Sequence, residues 1–222
     1  MKKNGFSLIE TLVALAIVSI MGIILADLLT RTIEGGNKTR LIGTMKDNGQ
    51  AALNIIEASI RSSGTVICPI NIGDPLDLSS EDSKRLPNVL VVSQNGIYTR
   101  FGFVDTSPPL SIGQNGYISE DQPTIADTTD LLAINQLCEF LPGTYAAGQG
   151  GSASKTTEQI LTDKTLVSVV QNSGLFFKSH APGYKDDVTI QFTLTPGIVS
   201  TKASGQVGTN NQIPFSDTII LQ

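Results

Sequence analysis

The sequence has little of what most active sites are built from. It has no Trp, one His and two Cys among 222 residues, and aromatic residues make up only 5%. Zinc sites use closely spaced Cys and His ligands, so one His and no CxxC pair argue against zinc. No nucleophile-elbow motif accompanies the single His180, and no other catalytic constellation is recognisable. We therefore expect a protein that is not an enzyme and that holds no cofactor.

Charged residues are also scarce, at 16% of the chain, and the 20 acids outnumber the 15 bases. Grooves that bind nucleic acid need clustered Lys and Arg to neutralise phosphates, and no such cluster is visible in the sequence. The formal net charge of −5 therefore argues against nucleic acid as the main partner.

One long apolar run lies near the N-terminus, over residues 6–26. Its polar side chains are Ser7, Glu10, Thr11 and Ser19. These 21 residues would span about 30 Å as a helix, which is the thickness of a bilayer core. Lys2 and Lys3 precede the run, so the positive-inside tendency predicts a cytoplasmic N-terminus and an exported chain after Asp27. We expect a membrane segment at residues 6–29.

The acid inside this run is the most informative residue of the chain. A carboxylate in a membrane-spanning helix costs about 2.5–3.5 kcal/mol on insertion scales, so we expect Glu10 to have a function. The first ten residues, with Gly5, Phe6 and Glu10 in register behind a short basic leader, resemble the class III signal of type IV prepilins and type II secretion pseudopilins. An ordinary single-pass anchor is the alternative interpretation.

The resemblance implies a processing pathway. Prepilin peptidase would remove the leader, residues 1–5, by cutting after Gly5, and Phe6 would then be N-methylated. Loss of Lys2 and Lys3 would take the side-chain charge from −5 to −7. The Phe6 amine and the Glu10 carboxylate are each costly alone in a bilayer and cheaper when paired. In the family this pair is thought to set the register between adjacent subunits.

Beyond the membrane segment, helical periodicity continues to residue 63. Apolar positions recur at Leu41, Met45, Gly49, Ala52, Leu53, Ile56 and Ile60. Gly35 and Gly36 predict a bend or a melted turn before a domain helix at about residues 37–63, and Gly64 is a suitable C-terminal stop. This helix would belong to a globular domain that spans residues 30–222.

The rest of the chain has strand patterns. Strands are predicted at residues 66–68, 88–93, 97–104, 129–138, 166–170, 174–178, 187–194 and 218–221. Asn95-Gly96 between two apolar runs predicts a hairpin, whereas residues 71–87, 106–123 and 142–154 have loop composition. One helix followed by a run of strands indicates an α+β fold, with a long N-terminal helix packed on an antiparallel sheet.

Two further features concern cross-links and metals. Two cysteines in an exported chain predict one disulfide between Cys68 and Cys138, worth about 4 kcal/mol on the chain-entropy model; two separate buried thiols are the alternative. A loop holds a cluster of acids that are weak calcium candidates, without EF-hand spacing, against the alternative of a solvated loop. These acids are Asp74, Asp77, Glu81 and Asp82.

Three later segments refine the resemblance. Residues 48–64, 128–134 and 215–221 are similar to the helix end, a middle strand and the final strand of PilW-type minor pilins and of pseudopilin J. The chain departs from many PilW-type proteins because it lacks a terminal Arg-Asn. The resemblance implies a minor pilin that primes assembly near the pilus tip. A type II secretion pseudopilin is the first alternative, and a filament-displayed adhesin or DNA-binding module is the second.

The implied partners are prepilin peptidase, other major and minor pilins, and the assembly platform. The implied location is the inner membrane, with the domain in the periplasm before assembly and in the extracellular pilus afterwards.

Overall fold

The computed structural model divides the chain into two compact units, Met1–Leu41 and Ile42–Gln222. The structure describes residues 7–63, 65–68, 88–104, 115–123, 137–139, 141–143, 158–179, 185–197 and 212–221.

A single helix, α1 (Leu8–Ser62), begins in the first unit and ends in the second. It runs through Gly35 and Gly36 without interruption, so a melted turn at these residues, one of the two predicted possibilities, is wrong. Glycine weakens a helix by about 1 kcal/mol relative to alanine but fits helical backbone angles. Once helix exists on both sides, each further residue adds a hydrogen bond without a new nucleation cost. Local propensity therefore does not interrupt α1.

Within the second unit, the last turns of α1 bury one face. The buried residues are Met45, Gly49, Ala52, Leu53, Ile56 and Ile60. These are the predicted apolar positions except Leu41, which lies in the first unit. The 3.6-residue period therefore identified the face that packs on the domain.

One antiparallel sheet, sheet A, contains five strands in chain order. They are β1 (Thr65–Cys68), β2 (Val89–Gln94), β3 (Ile97–Val104), β4 (Tyr117–Asp121) and β5 (Gln159–Ile160). Asn95 and Gly96 connect β2 to β3 with φ values of 51° and 81°, as a type I′ turn requires. The predicted hairpin is confirmed.

One sequence prediction is wrong in this sheet, and another is wrong at the end that the structure describes. The loop predicted at residues 106–123 contains β4, whose polar Ser119 and Asp121 are buried rather than solvated. These polar residues hid the strand in the sequence, because Asp121 can be buried only with its partner Arg100, which lies on β3. The strand predicted at residues 129–138 lies mostly outside the described residues, and its end belongs to a short 3-10 helix, Leu137–Glu139.

A second antiparallel sheet, sheet B, is built around its longest strand. Its members are β6 (Val167–Val169), β7 (Leu175–Ser179), β8 (Asp187–Pro196) and β9 (Ile213–Ile220). Strands β6 and β7 pair with one edge of β8, and β9 pairs with the other edge. The strands predicted at residues 166–170, 174–178 and 187–194 are confirmed, and the last strand starts earlier than predicted.

Aromatic rings connect the two sheets and the helix. Phe103 of β3 stacks on Phe176 at 4.6 Å and contacts Phe192 at 5.4 Å between centroids. Phe192 stacks in turn on Phe215 at 4.9 Å, and the Phe215 ring fills the space where Gly49 of α1 has no side chain. The helix-on-antiparallel-sheets arrangement confirms the predicted α+β class and is consistent with a pilin fold.

Candidate functional site

The first described turn of α1 contains Glu10, the acid singled out by the sequence. The Ser7 backbone N–H donates to Glu10 Oε2 at 3.4 Å, and the Glu10 backbone N–H donates to Ser7 Oγ at 3.3 Å. This reciprocal arrangement is a capping box, which satisfies two donors that a helix otherwise leaves without partners at its start. Gly5 and Phe6, the predicted cleavage and methylation residues, lie outside the described residues.

This capping box was not among the sequence predictions. Its signal is present as Ser7-Leu-Ile-Glu10, a Ser-x-x-Glu pattern directly before a helix. The box gives Glu10 a role within its own chain, because its carboxylate accepts a backbone N–H that would have no water partner in a bilayer.

Hydroxyl groups along the apolar stretch bond to the helix itself. Thr11 Oγ1 donates to the Leu8 carbonyl and Ser19 Oγ to the Leu15 carbonyl, both at 2.8 Å. Farther along, Thr30 Oγ1 donates to the Ala26 carbonyl at 2.9 Å. Each hydroxyl proton therefore has an acceptor without water, which suits a lipid environment.

The first unit exposes its apolar surface. Side chains from residue 7 to residue 40 are all exposed. The large exposed apolar residues of this stretch are Leu8, Ile9, Leu12, Val13, Leu15, Ile17, Val18, Ile20, Met21, Ile23, Ile24, Leu25, Leu28, Leu29 and Ile33. So large an exposed apolar surface indicates a surface that something else covers. By length and composition, α1 is the one helix in the described residues able to cross a membrane.

Charged side chains begin where the apolar run ends. Arg31 Nε lies 2.9 Å from Asp27 Oδ2, and both side chains are exposed. Such exposed pairs one helical turn apart contribute only about 0.3–0.5 kcal/mol, so the pair marks the polar boundary more than it stabilises the helix. Leu8 to Ala26 thus form an apolar segment with one acid near its start and an ion pair after its end.

Residues 1–26 match the family model of the prokaryotic N-terminal methylation motif. The N-terminus is that of a type IV prepilin-like protein. Neither the comparison with curated proteins nor the comparison with solved structures finds a match. The motif, with the long apolar helix that follows it, fits a prepilin-like chain anchored in the inner membrane. It also implies processing by prepilin peptidase and association with pilin subunits.

In the second unit of this prepilin-like chain, Cys68 and Cys138 form a disulfide, with Cα atoms 5.9 Å apart. The alternative of two separate thiols is therefore not what the structure contains. The calcium candidates Asp74, Asp77, Glu81 and Asp82, and also His180, lie outside the described residues. In the part of the chain that is described, no three His, Cys, Asp or Glu side chains group as metal ligands would.

A buried ion pair crosses sheet A between β3 and β4. Arg100 Nε donates to Asp121 Oδ1 at 2.9 Å, and Arg100 Nη2 to Asp121 Oδ2 at 2.6 Å. The two side chains are 1% and 0% exposed, and the Gly143 backbone N–H adds a third bond to Asp121 at 3.0 Å. The fork-shaped geometry and the extra donor make burial of both charges tolerable.

Three other groups have perturbed pKa values. The pKa of Tyr117 is raised mainly by burial, and to a smaller extent by the charge of Glu158 and a hydrogen bond to Glu158. Burial raises the pKa of Glu120. Hydrogen bonds from the Thr165 side chain and backbone lower the pKa of Asp163. The Asp163 backbone N–H donates to Asn48 Oδ1 of α1 at 2.8 Å. Tyr117 and Glu120 lie on β4, whereas Asp163 lies between β5 and β6.

Proposed function

We propose that this prepilin-like chain is a minor subunit of a type IV pilus, of PilW type, with a structural role. The methylation motif at residues 1–26, followed directly by an exposed apolar helix, carries the proposal. A membrane holds the helix before assembly, and the helices of other subunits cover it afterwards. Either environment removes the exposed apolar surface of the first unit from water.

Cleavage between Gly5 and Phe6, followed by methylation of the Phe6 amine, is part of the proposal. The new amine is a positive charge at the start of a helix, where the helix dipole also disfavours it. Glu10 of an adjacent subunit supplies a carboxylate that pairs with this amine during assembly. Within its own chain, Glu10 Oε2 accepts the Ser7 backbone N–H. A carboxylate accepts several hydrogen bonds, so Glu10 can keep this bond and also pair with the amine of a neighbour.

The decisive experiment is intact-mass and N-terminal analysis of the protein extracted from its native cells. We expect a chain that begins at N-methylated Phe6. A chain that still begins at Met1, in cells with active prepilin peptidase, would identify a plain single-pass anchor and refute the proposal. The same spectrum reports the Cys68–Cys138 disulfide through the two hydrogens lost on oxidation.

The role in priming assembly near the tip rests on the resemblance of residues 48–64, 128–134 and 215–221 to minor pilins. Deletion of the gene is expected to abolish or reduce piliation, and re-expression is expected to restore it. Normal pili with loss of binding to a surface or to DNA would instead support the displayed-module alternative. Normal pili with loss of exoprotein secretion would support the type II secretion pseudopilin.

A further inference from the structure

A short segment lies across one face of sheet A and is tied to β1 by the disulfide. We call residues 137–139 and 141–143 the cover. Leu137, Cys138 and Leu141 pack in one apolar cluster with residues from β1, β2 and β3. The sheet residues in that cluster are Ile67, Cys68, Val89, Val91 and Tyr98. The cover therefore shields a specific, continuous patch of the sheet.

The covered face also carries the buried ion pair. Val91 pairs with Arg100 and Arg100 with Asp121 in the sheet register, so these side chains share one face. Gly102, two residues along β3, lies on the same face, and a methyl group there would overlap Pro142 of the cover. Gly143 of the cover donates to Asp121. The cover thus approaches the ion pair closely and provides one of its hydrogen bonds.

The disulfide is itself beneath this packing. Cys68 is 2% exposed and Cys138 is 1% exposed, so an external thiol or disulfide cannot reach either sulfur without movement of the cover. Two thiols that must be joined by an external reagent therefore have to react while the cover is open. Closure comes after that reaction and hides its product.

We propose that the cover is a one-way latch. It closes over the Arg100–Asp121 pair only after an external disulfide has oxidised Cys68 and Cys138, and its closure then protects the new bond from thiols. Without the disulfide, the cover loses its covalent attachment to β1, and its non-covalent contacts have to offset the entropy cost of ordering its backbone. The ion pair would then be open to water, where neither charge needs the other.

The chemistry is a disulfide exchange with a disulfide donor. The thiolate of one cysteine attacks the donor's S–S bond, which breaks and releases one donor thiolate. The thiolate of the other cysteine then attacks the mixed disulfide, so that the Cys68–Cys138 bond forms and the second donor thiolate leaves. The two protein thiols lose two protons and two electrons, and the donor gains them.

Arg100 provides the test, because an arginine reagent such as phenylglyoxal modifies a guanidinium only when it is accessible. Full-length protein in detergent is treated with the reagent and mapped by peptide mass spectrometry. We compare the oxidised chain with the double variant Cys68→Ser, Cys138→Ser. Exposed Arg31 and Arg61 are the internal controls, since their side chains are 75% and 54% exposed in the oxidised chain.

We expect Arg100 to react at least about tenfold faster in the double variant, because local opening controls access to buried groups, while both controls stay unchanged. Equal protection of Arg100 in the two proteins would overturn the proposal. Hydrogen exchange of β8 amides is measured in parallel. Loss of their protection in the double variant would show that the chain unfolds globally rather than opening at the cover, and this result would also overturn the proposal.

A second measurement tests whether closure protects the bond. We expect the oxidised, folded chain to keep its disulfide in dithiothreitol until denaturant is added. The variant Gly102→Ala, in which the new methyl group meets Pro142, is expected to lose the disulfide to the same reagent without denaturant. Rapid reduction of the unaltered folded chain would refute the one-way character of the latch.

Discussion

Replacement of Gly49 by alanine tests how α1 packs on sheet B. In an exposed helix, Gly→Ala stabilises by about 1 kcal/mol because glycine has more conformational freedom to lose. At Gly49 the added methyl would overlap the ring of Phe215, which is stacked on Phe192 and restricted in where it can move. Overpacking of this kind costs about 1–3 kcal/mol. We therefore expect Gly49→Ala to destabilise the second unit by up to about 2 kcal/mol, after the helix gain of about 1 kcal/mol is subtracted.

Gly43 is the matched control, because it lies on the same helix with no heavy atom within 4 Å of an added methyl. Gly43→Ala should stabilise by about 1 kcal/mol, so the two substitutions differ in sign. The free energy of unfolding is measured by guanidinium denaturation of the full chain in detergent. Equal stabilisation by both would refute the contact between α1 and Phe215. The double variant Gly49→Ala, Phe215→Leu should recover part of the loss, since a smaller side chain relieves the overlap.

Three further predictions concern charged groups. Glu10→Ala should leave processing intact but reduce incorporation into filaments. Glu10→Gln is the control that keeps a capping box without the charge. Subcellular fractionation compares the incorporation of the two variants, and normal incorporation of both would exclude a role for the charge. Asp121→Ala should cost about 3–5 kcal/mol because Arg100 stays buried without its carboxylate, while Arg100→Met with Asp121→Leu should cost far less; denaturation of both variants decides. Because the pKa of Asp163 is lowered, this carboxylate contributes fully to stability when the pH is above the usual pKa of an aspartate. That contribution is lost as the pH falls through the lowered pKa. Thr165→Val should remove that part of the acid dependence, which pH-dependent melting would detect.

The sequence alone predicts much of this architecture, because local patterns carry it. The face of α1 buried at Met45 and Ile56 follows from helical periodicity, and the turn at Asn95 and Gly96 follows from its need for positive φ. The strands β3 and β8 follow from alternation or continuous apolar runs.

Other elements depend on partners distant in the chain. Strand β4 resembles a polar loop in sequence because Asp121 needs Arg100, 21 residues earlier, before it can be buried. Helix propensities of single residues also do not predict that α1 continues through Gly35 and Gly36, since helix propagation is cooperative.

The sequence by itself determined the N-terminal motif, the apolar helix that contains Glu10, and the presence of two cysteines able to form one disulfide. All of these depend on residue type and spacing over short distances. Only the tertiary structure decided that residues 137–139 and 141–143 form a cover, that its disulfide is buried on the same sheet face as Arg100 and Asp121, and that Gly49 accommodates Phe215. Those facts depend on contacts between residues far apart in the chain, and a sequence pattern of one strand or one helix does not contain them.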